Sequence, residues 1–126
     1  MPEEELARFM RGELDPVSFP HRDHVRMGFE MLRRHSFVES ALHYSQGLRQ
    51  MTARVGKPQA FHQTVTIAFL ALIAERMESN SHLDFDSFIR ANADLADKAI
   101  LRRWYSAERL GSDSARRTFV LPDPAT

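Results

Sequence analysis

The stretch from Thr64 to Ala74 constrains the fold of this chain more than any other. It is the longest mostly apolar run, and from Val65 to Ala74 it is apolar almost all round a helical wheel. A helix of that kind needs neighbours on every side, so it predicts a central, buried element of a bundle. It is also far shorter than the roughly 20 residues a bilayer demands, which sets a membrane span aside. Thr64, Val65, Thr66 and Ile67 are β-branched and strand-like on their own. Their continuation through Ala68, Leu70, Ala71 and Leu72 favours helix. No other segment alternates with period two over a useful length.

The flanking sequence reads as further helices separated by short turns. A first helix is expected from about Pro2 to Leu14, with Glu3, Glu4 and Glu5 in the turn where the helix dipole favours acids. Asp15-Pro16 ends it, and Val17 to Pro20 reads as an extended connector. A second runs from about His21 to Arg34, with Val25, Gly28, Phe29 and Leu32 at helical spacing. Ser36 and Glu39 form a capping-box pattern for a third, which Gly56-Lys57-Pro58 stops. The fourth, carrying the apolar run, is expected from about Gln59 to Glu78. After a turn at Asn80, Ser81 and His82, with Asp84 as a cap, Phe85, Phe88 and Ile89 open a fifth that continues to about Trp104 with a break near Ala96. Ser106 to Arg109 opens a short last helix. The expected fold is all-α: a single-domain bundle of about five to six helices over residues 1–126.

At 126 residues, 43% hydrophobic and 27% charged, the chain falls in the globular range. Lys and Arg total 17, as do Asp and Glu, so the formal net charge is zero. That balance argues against nucleic acid as a partner, and it does not oppose a homo-oligomer. There are no cysteines, which removes disulfides, thiolate nucleophiles and zinc ribbons and fits a reducing compartment. The acidic N-terminus does not read as a secretory leader. The expected location is the cytoplasm.

Among the six histidines, three fall in related places. His21 and His24, spaced i, i+3, share the inward face of the second helix. His62 is expected in the first turn of the fourth helix. Short connections make successive helices antiparallel, so the second and fourth run parallel and begin at the same end of the bundle. Three inward imidazoles at one end have the chemistry to hold a divalent transition metal such as zinc, iron or nickel. The same helix starts also suit an anion or small molecule, held by free backbone N–H groups and by Arg22 or Arg26, with Thr64 and Thr66 as supporting contacts. A third reading is structural, because histidines near helix starts often satisfy exposed backbone groups. Asp23 points away from the face shared by His21 and His24, and no carboxylate obviously faces inward. No nucleophile elbow, phosphate loop or dinucleotide fingerprint occurs, so no complete catalytic set is visible and enzyme activity is left open.

Phe19-Pro20-His21-Arg22-Asp23-His24-Val25-Arg26, Phe61-His62-Gln63-Thr64-Val65-Thr66, and Tyr105-Ser106 followed by Ser112, Ala115-Arg116 and Phe119-Val120-Leu121-Pro122-Asp123 form a pattern over most of the chain. It resembles a group of short, all-helical bacterial proteins of unknown function with F-x-H-x-x-H-V-R, aromatic-His-x-T-x-T and S-x-x-A-R-x-x-F-V-x-P-D segments. Phe61 stands where that pattern would have Tyr, so no tyrosine hydroxyl serves there. The resemblance implies the choice of residues and no particular reaction.

Two functional readings follow. One is a metal or small-ligand site on His21, His24 and His62, with Arg26, Thr64, Thr66 and Arg116 around it. The other is a non-catalytic interaction module or enzyme accessory protein without a metal, suggested by neutral charge and by Phe37 and Phe85 reading as exposed. The run Phe119-Val120-Leu121 is a liability if free. Thr118 to Leu121 is therefore expected to dock on the helical body, where Arg116 would help enclose the site or the segment would simply cover a groove.

Overall fold

The computed structural model describes residues 2–79 and 84–124. Among these there are seven α-helices, five of them of seven residues or more, and no strand: α1 Pro2–Met10, α2 His21–Arg34, α3 Phe37–Arg54, α4 Gln63–Ser79, α5 Phe85–Ala91, α6 Ala107–Leu110 and α7 Asp113–Arg117. The turn expected at Asn80, Ser81 and His82 lies outside the described residues.

Helices α2 and α4 form the centre because each is apolar on two sides. From α2, Val25 and Phe29 enter one core cluster with Phe69, Leu72 and Ile73 of α4 and Phe85 and Phe88 of α5. Met27 and Met31 enter a second, with Leu6 and Phe9 of α1, Tyr44 and Met51 of α3, and Leu70 of α4. Phe85 is 5% exposed, against its expected exposure, because it packs on Phe29 with Arg22 lying over its ring.

Local chemistry sets the boundaries. Ser36 Oγ accepts the Glu39 N–H while the Glu39 carboxylate accepts the Ser36 N–H, completing the capping box of α3. Helix α1 stops at Met10, before the expected Leu14, because Gly12 turns into the left-handed region at φ +70°. The connector after it is extended only at its end, at Pro20; before that, Asp15 caps a 3-10 turn over Pro16–Ser18. A second 3-10 turn, Pro58–Ala60, takes the residues expected to begin the fourth helix, so α4 starts at Gln63. The fifth segment breaks after Ala91. There Asn92 turns its amide back onto the Phe88 carbonyl and accepts a bond from Arg76, and 3-10 turns over Ala93–Ala96 and Ile100–Arg103 follow. Arg76 and Arg103 both bind Asp94, tying this irregular stretch to α4 and holding the Asp94 carboxyl down at about 2.

Helices α1 and α3 approach closely at Gly47. A Cβ there would lie 2.5 Å from the Phe9 carbonyl oxygen and 3.2 Å from the Phe9 ring. Gly47→Ala gains about 1 kcal/mol of helix propensity. Overpacking against backbone, which cannot swing aside as a side chain can, costs about 1–3 kcal/mol. A 2.5 Å approach to a backbone oxygen puts the cost in the upper half of that range, so the expected outcome is a net loss of about 1–2 kcal/mol in urea unfolding. A variant as stable as the parent would show that the two helices slide apart freely.

Candidate functional site

The starts of α2 and α4 and the second half of α3 surround a pocket of about 430 Å³. Phe19, Phe61 and Phe69 form aromatic walls, and His21, His24 and His62 are among the polar lining residues, with Tyr44, Thr52, Thr66 and Lys98. The three histidine rings therefore reach one pocket. Its position at the helix starts follows from short connections that make α2 and α4 parallel with α3 running back between them.

Each ring is held differently. His21 Nε2 lies 3.0 Å from the Leu95 carbonyl oxygen. A carbonyl only accepts, so Nε2 carries the proton and Nδ1 keeps its lone pair. The ring meets Phe69 edge-on at 4.8 Å. Burial lowers the His21 pKa below its ordinary value, the Leu95 carbonyl opposing and Lys98 adding to the shift. His24 packs on the Phe19 ring at 4.6 Å. Burial pushes it down to about 4, and the neighbouring His21 acts in the same direction. Both imidazoles are neutral at pH 7. The Tyr44 hydroxyl donates to the His24 backbone carbonyl at 3.0 Å, and burial raises that phenol above its usual range.

His62 is the N-cap of α4 and not a member of its first turn. Its Nδ1 accepts the Val65 N–H at 3.1 Å, its Nε2 donates to the Leu110 carbonyl at 2.6 Å, and its own carbonyl accepts the Thr66 hydroxyl at 2.7 Å. The shift relative to expectation comes from Pro58, which opens a separate 3-10 turn and delays the helix. Both ring nitrogens are thereby used by backbone. The structural role open to a histidine near a helix start is the one His62 fills. Among the described residues no three His, Asp or Glu side chains converge so as to hold a metal ion.

The supporting residues divide. Thr66 lines the pocket. Arg26 does not: its guanidinium binds Glu5 at 2.6 and 2.8 Å and Asp23 at 3.3 Å, tying α1 to α2. Thr64 is fully buried and faces the C-terminal segment, donating to the Thr118 carbonyl at 2.8 Å and accepting from the Val120 N–H at 3.1 Å. Arg116 donates to the Gln59 carbonyl at 3.1 Å, in the turn that carries Ala60 and Phe61 into the pocket wall. The expected docking of Thr118 to Leu121 is present. Besides Thr64, the Tyr105 hydroxyl holds the Val120 carbonyl at 2.8 Å and Arg109 Nε holds that of Leu121 at 2.6 Å.

Sequence reasoning missed Phe19, Phe69 and Lys98 as lining residues, and the Leu95 and Leu110 carbonyls that orient two of the rings. The Phe-x-His spacing of Phe19 and His21 was a usable signal. Nothing local pointed to carbonyls 74 and 48 residues from their partners. No protein-family model, curated protein sequence or solved structure matches this chain.

Proposed function

We propose that this protein binds a small, largely apolar organic molecule in the pocket between the starts of α2 and α4. The observation that carries this reading is the cavity of about 430 Å³, with aromatic walls and oriented, neutral imidazoles on its lining. A concave, mostly apolar site with a few fixed polar groups is the usual form of a small-molecule site. His21 is suited to accept a hydrogen bond through Nδ1, and His24 to line the pocket without imposing charge. The small-ligand form of the histidine site is favoured over the metal form because of His62. A metal held by all three rings would need His62 to release Val65 or Leu110, uncapping α4 or stranding a carbonyl.

A fragment screen by thermal shift tests this, run in parallel on Ala60→Trp. Ala60 is exposed and sits in the wall, so a tryptophan there obstructs the pocket without entering either core cluster. A fragment at ten times its Kd stabilises the parent by about 1.4 kcal/mol, a shift of several degrees. That shift is expected to disappear in Ala60→Trp. Fragments that stabilise both proteins equally would place binding elsewhere. Zinc binding that is lost in His62→Ala would restore the metal form.

The alternative, an interaction module, has one feature in its favour. Phe37, Val38 and Leu42 on the first turns of α3 are 38%, 76% and 54% exposed. Light scattering on Val38→Glu/Leu42→Glu reads whether that strip holds copies together.

A further inference from the structure

The charge of the pocket goes further than its shape, and the inference rests on the small-ligand reading above. No aspartate or glutamate is among the lining residues, whereas Lys98 is. Two of the nearby carboxylates are ion-paired elsewhere, Asp23 with Arg26 and Asp94 with Arg76 and Arg103. Asp97 accepts the Ala99 N–H at 2.9 Å and lies off the lining; its charge acts on His21 against that of Lys98, and Lys98 has the larger effect. The Lys98 ammonium has no ion-pair or hydrogen-bond partner among the described residues. It shares the lining with His21, whose Nδ1 keeps its lone pair because Nε2 donates to Leu95. The rim therefore presents one cation without an ion-pair partner and one hydrogen-bond acceptor, and the interior presents aromatic rings.

We propose that the ligand is a small amphipathic organic anion, an aryl or alkyl carboxylate. Its apolar body lies between Phe19, Phe61 and Phe69, its carboxylate meets Lys98, and any hydroxyl or amine N–H it carries donates to His21 Nδ1. A cationic ligand would meet Lys98 with no carboxylate on the pocket lining to pair with. A neutral ligand would gain the walls and leave the ammonium unused. Lys98 is exposed, so the discrimination is modest and salt-dependent: about two- to fivefold at low ionic strength.

Phenylacetate, phenylacetamide and 2-phenylethylamine share one apolar body and differ in charge. Each is titrated into the full-length protein at pH 7 and low salt and followed by amide NMR shifts. Phenylacetate is expected to shift His21, Phe61, Phe69 and Lys98 saturably. Phenylacetamide should bind about two- to fivefold more weakly and the amine more weakly still. In Lys98→Gln the acid and amide are expected to converge, with the spectrum otherwise retained. If the amide binds in the pocket as well as the acid, or if the preference survives Lys98→Gln, the anion inference fails and the pocket reading stands. If none of the three moves pocket resonances, both fail.

Discussion

Thr64→Val is expected to destabilise the protein by about 2–4 kcal/mol, though the two side chains have nearly the same shape. Valine fills the same fully buried space, so no cavity opens, and the two residues have similar helix propensity. What disappears is one hydroxyl serving two backbone groups, the Thr118 carbonyl and the Val120 N–H. Each stranded group costs about 1–3 kcal/mol, less where water can reach it, and the exposed surroundings of Thr118 place the sum in the lower half of the range. Thr64→Ser keeps both bonds and loses only a methyl, so it should cost about 1 kcal/mol. A melting point about 10 °C lower for the valine variant, with serine close to the parent, is the expected pattern. Valine and parent melting together would mean that this hydroxyl does not anchor the C-terminal segment.

Acidification is expected to weaken the fold between pH 6.5 and pH 4 through His24. Its folded pKa is about 4, against 6.5 for a solvated imidazole. In that window the unfolded chain binds a proton that the folded chain does not, so stability falls as pH falls. From pH 7 to pH 5 the loss is about 1–2 kcal/mol, after allowing for the partial exposure of the ring. His21, also lowered, adds in the same direction. Asp94 does not confuse the measurement: held at about 2, its stabilisation is lost only as pH drops below the ordinary aspartate value of 3.8. Urea unfolding of parent and His24→Gln at both pH values isolates the effect, and an NMR titration of the His24 ring reads the midpoint directly. A midpoint near 6.5 would mean that the ring is solvated and the pocket end more open than described here.

Where helix signals are local, the fold was legible residue by residue. Helix α2 runs from His21 to Arg34 as expected, Ser36 and Glu39 cap α3, and Asp84 caps α5. The meeting of His21, His24 and His62 at one end was legible from topology, because short connections leave few ways to run three helices. The chemistry of those rings was not. His62 bonds a carbonyl 48 residues away, and carbonyls carry no sequence signature. From Ala93 onward the chain moves in 3-10 turns and short helices whose apolar residues follow no single period. The break expected near Ala96 therefore comes earlier, after Ala91, no α-helix resumes before Trp104, and Lys98 was not seen to face the pocket. Arg26 was an inviting anion contact at a helix start until Glu5, on another helix, proved to hold it.

The central claim is that the space between the starts of α2 and α4 receives a small organic molecule. A crystallographic fragment soak reads this without assuming the ligand. The account predicts that soaked aromatic acids appear between Phe61 and Phe69, with a polar atom within hydrogen-bond distance of His21 Nδ1 and His62 still bonded to Val65 and Leu110. Fragments found only at other surfaces, or Phe61 and Phe69 closed onto each other with no room between them, would contradict it.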